Sequence, residues 1–380
     1  MFLVIVLTIW TALHIYVFWR AATVPMIARH IPRKVLAGIA LFLWLVFPVS
    51  HSVAISGFES VTRIFSFIGA TWVGVLFLLF VSMFAIDVIT AFGFLFRRAA
   101  PALRGWALLA GCILAAIALV QGSRAPMVRS FDVQIANLPT EYDGTVVVVA
   151  SDMHLGELAG ARWLSPRIDQ INAEKPDLVV LAGDIIEGHG ESGREFLPLF
   201  RKLSPPLGVW AVNGNHERFG RPDAGGGLNV LEGAGVHVLR DQWEQLRPGL
   251  LISGVDDLTS RRTHGQPYAE YVDRALAGRP AGATIFVSHT PWLADRAANR
   301  GASLMLSAHT HNGQIWPFNY FVRLTYPLMS GRYDVHGMPV IVCRGTGTWG
   351  PRMRLWQRSE ILRVVLRAPQ TSAKSSTLPE

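Results

Sequence analysis

Four long apolar segments precede residue 122, at residues 2–19, 35–55, 69–96 and 106–120. A membrane-spanning helix needs ~20 mostly apolar residues, with a lower limit of ~17. The composition agrees, because the 380-residue chain is 51% hydrophobic, only 16% charged, and has a mean hydropathy of +0.32. The first segment lacks a basic start and a small-residue cleavage site, which favours a spanning helix over a signal peptide. These features predict an all-α transmembrane domain of about four helices at residues 1–121.

The basic residues of this region are distributed unevenly among its loops. Most lie in the loop after the first segment and in the loop after the third: Arg20, Arg29, Arg33, Lys34, Arg97, Arg98 and Arg104. By the positive-inside rule these two loops are cytoplasmic. This predicts a multi-pass protein of the cell (inner) membrane, with both termini and everything after residue 121 outside the cytoplasm. One span more or fewer would reverse the orientation.

Three ionisable residues lie within or near the apolar segments: His14, His51 and Asp87. Ionisable groups inside a membrane are functional candidates by default. Each of these three is single in the sequence, so we interpret them as structural.

From about residue 131 short β-branched runs alternate with helix-like stretches, which is the pattern of an α/β domain. The predicted strands are 145–150, 178–182, 209–212, 236–239, 251–255, 284–287, 304–307 and 340–343. The predicted helices include 162–172, 194–203 and 268–277. We therefore divide this part into a linker with an incoming strand at 122–139, an α/β domain at 140–367, and a polar, disordered tail at 368–380.

Polar side chains follow five of the predicted strands where each strand ends. They are Asp152, His154, Asp184, Asn215, His216, His289, His309 and His311. Ligands of α/β sheets gather beyond the carboxyl ends of the strands, so we expect these side chains to converge. A lone histidine after a strand is usually an ordinary surface or core residue. The ordered combination, with GNHE at 214–217 and AHTH at 308–311, indicates a metal site instead.

Apart from His216, this set offers two Asp, one Asn and four His, and no thiolate. Such ligands suit divalent first-row metals such as Mn, Fe, Zn, Co or Ni. Seven ligands are too many for one tetrahedral ion, but with one bridging carboxylate they suit two ions. Two metals ~3.5–4 Å apart clamp the attacking and leaving oxygens of an in-line displacement at phosphorus. The residues therefore predict two divalent metal ions as cofactors.

The ordered motifs resemble those of the calcineurin-like metallophosphoesterase superfamily. They are Asp152-x-His154, Gly183-Asp184, Gly214-Asn215-His216-Glu217, His289 and His309-Thr310-His311. The resemblance covers about residues 140–365. The segments THNGQIWPF and GTGTWGPRMRLWQRSEI are similar to the closing segments of a membrane-associated bacterial branch that includes YkuE- and YaeI-type phosphodiesterases. The resemblance implies a four-layer α/β/β/α sandwich with a dinuclear metal centre between strand ends.

The resemblance also implies two sets of metal ligands that share one residue. The first set is Asp152, His154 and His311; the second set is Asn215, His289 and His309. Asp184 would bridge both ions. His216 is not a ligand in that pattern; it donates a proton to the leaving oxygen or stabilises the phosphorane.

Three positions depart from the family pattern without removing a ligand. Ala308 and Asn312 stand where the family usually has glycine, and we expect them to alter how closely the backbone approaches the site. Glu187 stands where the family usually has Asp, and we expect it to alter the contacts around the ligands.

The expected enzyme is a metallophosphoesterase, a phosphoric ester hydrolase of the phosphodiesterase kind. A hydroxide between the metals would attack phosphorus in line, and His216, with an ordinary pKa of ~6.5, would supply the leaving-group proton. Arg218, Arg344 and Arg352 are candidate phosphate-binding residues, although a single surface arginine is usually only solvated.

The sequence favours, but does not identify, a membrane substrate. A lipid-linked phosphodiester or pyrophosphate is the leading candidate, because membrane attachment brings the domain close to lipid headgroups. The alternatives are hydrolysis of soluble or cyclic nucleotides and, in another class, a non-catalytic membrane sensor that binds metal without turnover. No nucleic-acid partner is expected, because no basic stripe with interleaved aromatics is present. The oligomeric state is left open.

Five aromatic residues near the last motif also allow two interpretations. They are Trp292, Trp316, Phe318, Tyr320 and Phe321. Packing in the core is the simpler interpretation, and an amphipathic rim near the bilayer is the alternative.

Overall fold

The computed structural model describes residues 2–52, 59–187, 191–217, 226–260 and 268–369. The chain divides into two compact units. The first comprises Met1–Ala125, Gln314–Phe318 and Thr348–Arg358; the second comprises Pro126–Gly313, Asn319–Gly347 and Ser359–Glu380. The α/β domain predicted at 140–367 is therefore interrupted by two short segments that fold with the first unit. The predicted tail from residue 370 onward lies outside the described residues.

The first unit is helical. Its helices are α1 (Phe2–Ala21), α2 (Pro25–His30), α3 (Arg33–Ser52), α4 (Glu59–Ile89) and α5 (Ala100–Ser123). Within the described residues, three stretches are long and apolar enough to cross a membrane: Val4–Ala21, Val61–Ile89 and Ala100–Ser123. The prediction of about four spans is corrected to three on this criterion.

Helix α3 accounts for the difference between the predicted and observed numbers of spans. This helix begins with Arg33 and Lys34, and the structure describes its side chains only as far as Val49. The apolar part between Lys34 and Val49 is shorter than the ~17 residues that a span requires. The remainder of the second predicted segment, from residue 53, lies outside the described residues.

Side-chain contacts define the relative direction of α1 and α4. The indole Nε1 of Trp72 donates a hydrogen bond of 2.8 Å to His14 Nε2. Further along both helices, Arg20 pairs with Asp87. Later residues of α1 thus meet later residues of α4, so the two helices run parallel.

Asp87 belongs to a buried ion cluster, which the sequence analysis missed. Its carboxylate is fully buried, with Arg20 Nε 2.5 Å from Oδ2 and Arg104 Nε 2.8 Å from Oδ1. The Tyr16 hydroxyl also donates to Oδ2, at 2.6 Å. Helix ends distant in sequence bring the three charges together, so Asp87 is not a single charge and both arginines lie inside helices rather than in loops.

The second unit contains two six-stranded sheets. The first sheet has the order β1-β12-β2-β3-β4-β5, with β1 Met127–Gln134, β2 Val146–Ala150, β3 Leu178–Leu181, β4 Val209–Val212, β5 His237–Leu239 and β12 Glu360–Arg367. The second has the order β10-β11-β9-β8-β7-β6, with β6 Gln242–Arg247, β7 Leu250–Val255, β8 Ala283–Ser288, β9 Leu304–Ser307, β10 Gly331–Val335 and β11 Met338–Val342.

Helices cover the outer faces of both sheets. Those on the first sheet are α6 (Ala161–Ala173), α7 (Leu197–Phe200) and α8 (Gly226–Gly233); those on the second are α9 (Tyr268–Ala275) and α10 (Ala294–Asn299). In β2, Val147 and Val149 enter the core between the sheets, whereas Val148 and Ala150 pack under the helices. This alternation follows from the two-residue period of a strand, and it confirms the predicted α/β/β/α sandwich.

Parallel neighbours bring the strand ends together. Strands β2, β3 and β4 are parallel and adjacent, and so are β7, β8 and β9. Their carboxyl ends therefore lie at one edge of each sheet. The ladder between β2 and β3 extends past the strands, because Asp152 N donates to Gly183 O at 3.0 Å and His154 N donates to Asp184 O at 3.1 Å.

Candidate metal centre

The residues predicted from the strand ends meet in the second unit. Three groups have a possible ligand atom on every member within 4.8 Å of the others. The groups are Asp152, His154 and His311; His154, Asp184 and His216; and Asp184, His289 and His309. Because His154 and Asp184 each belong to two groups, the three form one continuous cluster.

The first group is built around Asp152. The Nε2 atom of His311 lies 3.3 Å from Asp152 Oδ1 and 3.2 Å from His154 Nε2. Both carboxylate oxygens of Asp152 are buried and have no hydrogen-bond partner. A buried carboxylate without a partner is costly unless a cation balances it, so this arrangement fits a metal ion.

Asp184 is shared by the second and third groups. Its Oδ2 atom is 3.2 Å from His289 Nε2 and 3.9 Å from His154 Nε2. His309 adds Nδ1, 3.2 Å from His289 Nε2. Burial alone would raise the pKa of Asp184, but the surrounding histidines, His289 foremost, lower it well below its usual range. The carboxylate is therefore ionised, with one oxygen near both groups.

Two histidines donate hydrogen bonds from the ring nitrogen that faces away from the cluster. His154 Nδ1 donates to Glu187 Oε1 at 2.7 Å, and His289 Nδ1 donates to the carbonyl oxygen of Ala182 at 2.8 Å. In the neutral form of each ring, the proton on Nδ1 leaves Nε2 with a lone pair that faces the cluster. Lone pairs and carboxylate oxygens that converge in this way fit a cation.

The backbone at the cluster is strained. Five of its residues have positive φ angles, which side chains other than glycine rarely adopt: Asp152 (48°), His154 (47°), Asp184 (52°), His309 (71°) and His311 (47°). Asn312 has the same kind of conformation, with φ 51°. The family glycine at this position is thus replaced by one of the few residue types that tolerate the left-handed region.

Asn215 follows Gly214, whose backbone lies directly against the Asp184 side chain. A Cβ atom on Gly214 would lie 2.0 Å from Asp184 Oδ1, so the chain touches the Asp184 carboxylate here. The Oδ1 atom of Asn215 is buried and has no hydrogen-bond partner. A buried amide oxygen without a hydrogen-bond partner is suited to binding a metal ion.

Glu187 connects two histidines of the cluster. Its Oε1 accepts from His154 Nδ1 at 2.7 Å, and its Oε2 accepts from His216 Nδ1 at 2.9 Å. Burial opposes ionisation, but these hydrogen bonds lower the pKa of Glu187 to about 2. Burial likewise opposes the charged form of His216, yet the hydrogen bond to Glu187 and the charge of Asp184 raise its pKa.

Glu217 supports the loops after β3 and β4, a role not assigned from the sequence. Its carboxylate accepts from the backbone nitrogens of Asp184 at 3.0 Å, Ile185 at 2.5 Å and Gly214 at 2.7 Å. Burial and the Asp184 charge raise its pKa to about 7. The only sequence signal was its place at the end of the GNHE segment.

Tyr326 is a second residue that sequence reasoning missed. Its hydroxyl lies 2.8 Å from His309 Nε2, the ring nitrogen that faces away from His289. Its ring stacks on Trp292, with centroids 5.6 Å apart. Nothing in the sequence around residue 326 resembles a site motif.

The three candidate phosphate-binding arginines are scattered. Arg344 lies in the second unit, with Nε 3.1 Å from a carboxylate oxygen of Glu360. Arg352 is half-buried and folds with the first unit, and burial lowers its pKa. Arg218 lies outside the described residues. A substrate contact for any of them stays a prediction.

Comparison with known proteins decides the family. A family model described as calcineurin-like phosphoesterase matches residues 145–313. An uncharacterized metallophosphoesterase from Aquifex aeolicus (strain VF5) is 30% identical over 248 residues, which cover 63% of this chain and 91% of the relative. The chain belongs to the calcineurin-like metallophosphoesterase family.

Two further relatives of this metallophosphoesterase agree with the sequence analysis. The uncharacterized metallophosphoesterase YkuE of Bacillus subtilis (strain 168) is 30% identical, covering 61% of this chain and 82% of the relative. A Danio rerio protein named transmembrane protein with metallophosphoesterase domain is 31% identical, covering 69% of this chain. The match spans only 62% of that relative's length. The predicted resemblance is confirmed, as is the predicted class of phosphoric ester hydrolase at the level of the family, and membership implies divalent metal ions.

Proposed function

We propose that this chain is a membrane-anchored phosphoesterase that hydrolyses a phosphodiester or a pyrophosphate with two divalent metal ions. The observation that carries the proposal is the convergence of histidine ring nitrogens with buried carboxylate oxygens that have no hydrogen-bond partner. Buried carboxylates without hydrogen bonds are stabilised by positive charge, and nitrogen and oxygen donors suit Mn, Fe, Zn, Co or Ni.

The grouping of the side chains supports the two ligand sets that the family resemblance implies. The first ion would be held by Asp152, His154 and His311, and the second by Asn215, His289 and His309. Asp184 would bridge them, which is supported by the distances of 3.2 and 3.9 Å from its Oδ2 to His289 Nε2 and His154 Nε2. When bound, two such ions supply hydroxide near neutral pH and take up negative charge on the phosphoryl oxygens.

His216 is the proposed proton donor to the leaving oxygen. The hydrogen bond from its Nδ1 to Glu187 fixes the ring and stabilises the protonated imidazole. A proton can then leave from Nε2 towards the alkoxide of the departing group. The backbone nitrogen of His216 donates to Asp184 Oδ1 at 2.8 Å, so the proposed donor is also positioned against the bridging carboxylate.

Glu187 and Glu217 are positioning residues in this proposal. Glu187 orients one ligand and the proton donor with the two oxygens of a single carboxylate. Glu217 orients the backbone on both sides of Asp184. Metal-binding side chains are usually held by such outer partners, whose loss weakens metal binding ~10–100-fold.

A lipid-linked ester is the proposed substrate class. Support comes from the three helices in the same chain that are long and apolar enough to cross a membrane. Such helices keep the hydrolase domain at the bilayer, where lipid headgroups are the most concentrated phosphoesters. Soluble nucleotides are the competing substrate class.

We also propose an extracytoplasmic catalytic domain. The parallel direction of α1 and α4 supports it, because the segment between them, which contains α3, must then return the chain to the side on which α1 begins. Helix α5 runs antiparallel to α4, since Arg104 meets Asp87 and Gly111 lies against Leu79, so both ends of the helical region lie on one side. The basic residues after α1 and before α5 favour the cytoplasm for the opposite side. A reporter at the C-terminus that is active only outside the cytoplasm should be active; activity of a cytoplasm-only reporter would reverse the orientation.

The activity is tested with the full-length protein purified in detergent and reconstituted with each of the five metals in turn. Initial rates are measured on bis-p-nitrophenyl phosphate, p-nitrophenyl phosphate, a cyclic nucleotide and phosphatidylglycerol vesicles. Asp184→Asn should abolish metal-dependent hydrolysis, whereas Asp132→Asn, the same change at an exposed position, should leave it intact. His216→Ala should lower the rate ~100-fold or more, and His336→Ala is its exposed control.

The outcomes separate the candidate functions. Hydrolysis of the lipid diester in preference to the cyclic nucleotide supports the lipid substrate. Preference for the cyclic nucleotide would favour the soluble class. Metal binding with no hydrolysis of any ester would overturn the enzyme and leave the metal-binding sensor.

A further inference from the structure

Helix α11 (Asn319–Thr325) exposes three large apolar side chains. Tyr320 is 60% exposed, Phe321 62% and Leu324 83%. Among the described residues of the second unit, the other exposed large apolar side chain is Met127. Four of the five aromatics discussed in the sequence analysis are exposed rather than in the core: Trp316, Phe318, Tyr320 and Phe321. The expectation of core packing was therefore wrong for these four.

Both ends of α11 lie close in the chain to contacts with, or next to, the proposed metal centre. At its start, a Cβ atom on Gly313 would lie 2.2 Å from the Cα atom of Asn319, so the helix begins against the backbone two residues after His311. At its end, Tyr326 N donates to Val322 O at 2.9 Å and continues the last turn. The hydroxyl of Tyr326 reaches the His309 ring.

The chain enters α11 directly from a segment that packs on two helices long and apolar enough to cross a membrane. Phe318, the residue before α11, contacts Phe77 of α4 edge-to-face, with ring centroids 5.9 Å apart. Ile315 is buried in a cluster with Leu78 of α4 and Ala118 of α5. The first residue of α11 is thus one peptide bond from a side chain that lies against a proposed transmembrane helix.

The composition of α11 suits the boundary between lipid headgroups and acyl chains. Tyrosine concentrates at this boundary, and phenylalanine and leucine are typical of helix faces that lie in it. The long side chain of Arg323 is also exposed and can extend to the phosphates. An apolar face of this kind binds a bilayer surface by burying its side chains at the headgroup level. In a chain anchored in a membrane, the bilayer is the nearest apolar environment in which exposed apolar side chains can be buried.

We propose that α11 inserts Tyr320, Phe321 and Leu324 into the bilayer surface and holds the metal centre beside the headgroups. The helix is then the element through which a phosphoester in the membrane reaches His309 and His311. The inference rests on the proposed function for its substrate, but the position of α11 at the bilayer can be measured without any activity.

The first test measures depth in the membrane. Single cysteines replace Leu324, or Glu244 as an exposed control on β6, in a Cys112→Ser background; the remaining Cys343 is buried. The full chain is labelled with an environment-sensitive dye and reconstituted into phosphatidylglycerol–phosphatidylethanolamine vesicles with brominated acyl chains. The Leu324 label should be blue-shifted and quenched by bromine, and the Glu244 label should be neither. If both labels are exposed to water, the proposal is overturned. A blue shift of the Leu324 label without bromine quenching would indicate a protein partner instead of lipid and would also overturn it.

The second test separates membrane contact from catalysis. Phe321→Ser/Leu324→Ser should lower kcat/KM for phosphatidylglycerol in vesicles by roughly tenfold or more, with no change for bis-p-nitrophenyl phosphate. Met127→Ser removes the other exposed apolar side chain and should affect neither substrate. Equal losses on both substrates, or none on the vesicles, would contradict the role of α11. If the unmodified protein hydrolyses neither ester, the proposed function fails, and the dye measurement still decides where α11 lies.

Discussion

The hydroxyl of Tyr326 is predicted to stabilise one of the two metals selectively. The contact of 2.8 Å to His309 Nε2 places the tyrosine oxygen behind a ring whose Nδ1 faces His289. Burial and the nearby His289 lower the pKa of His309 to about 4, so the ring is neutral and carries one proton. With a cation at Nδ1, that proton sits on Nε2 and the tyrosine oxygen accepts it.

Tyr326→Phe removes this acceptor and little else. The ring can keep its stacking on Trp292, because the stacked face is unchanged. The buried N–H of His309 loses its partner, which costs about 1–3 kcal/mol and corresponds to roughly 5- to 150-fold in affinity. Loss of an outer partner of a metal-binding histidine typically costs ~10–100-fold. The two estimates overlap, so we expect a loss of at least roughly tenfold at the second ion.

The assay is calorimetric titration of the metal-free, full-length protein with Mn or Zn. The unmodified protein should bind two ions, and Tyr326→Phe should weaken one step while leaving the other unchanged. Tyr333→Phe is the matched control, because that hydroxyl accepts from the backbone nitrogens of Met329 and Ser330 at 3.0 and 3.3 Å. Equal weakening of both steps, or no weakening of either, would refute the reasoning that Tyr326 acts through His309.

Three other substitutions test separate parts of the structure. Glu187→Gln removes the charge between the two histidines it joins, so turnover of bis-p-nitrophenyl phosphate should fall ~100-fold; unchanged turnover would contradict its positioning role. Gly214→Ala places a Cβ 2.0 Å from a carboxylate oxygen and should lower the free energy of unfolding by about 1–3 kcal/mol, seen in thermal unfolding. Gly160→Ala, whose Cβ would meet only an atom at 3.9 Å, should melt like the unmodified protein. Asp87→Ala leaves two arginines buried without their partner and should destabilise the helical unit by about 3–5 kcal/mol, measured by thermal unfolding in detergent; an unchanged melting temperature would argue against the buried cluster.

The strands of the sandwich could be predicted because their residues are buried on both faces. All eight predicted strands are present within one or two residues at most ends, including β2 and β3, whose valine and leucine runs have fully buried members. The missed strands β6, β10 and β12 carry charged or polar residues between apolar ones. In β12 the run EILRVVLR includes Glu360, buried by pairing with Arg344, a contact that no local pattern reveals.

Convergence of the site could be predicted, but its outer partners could not. Ligands follow strands, and the edge of a parallel sheet brings consecutive strand ends together. Glu217 and Tyr326 contact the proposed ligands Asp184 and His309 from positions that topology alone does not specify. Tyr326 comes after α11, so its distance to His309 depends on how that helix packs.

The helical unit was harder to predict from the sequence, because the contacts that define it join segments that are far apart in the chain. Arg20 and Arg104 belong by sequence to basic stretches that the positive-inside rule assigns to loops. In the structure both approach Asp87, since the ends of α1, α4 and α5 come together. Likewise the segments Gln314–Phe318 and Thr348–Arg358 have the motifs of the phosphoesterase branch but fold with the helices.

The residues with strained backbone and the hydrogen bonds that hold them in that conformation lie in the same loops. Left-handed backbone at a residue other than glycine costs about 1–3 kcal/mol and persists only where the surroundings impose it. At Asp152 the surroundings are β-ladder hydrogen bonds on two sides, from its own nitrogen to Gly183 O and from Gly347 N to its carbonyl oxygen. At Asp184 they are the Glu217 carboxylate and its backbone partners. The outer contacts therefore keep the carboxylates turned inward, although mutual repulsion would separate them. Cations at the centre would remove that repulsion and would thereby stabilise the strained geometry.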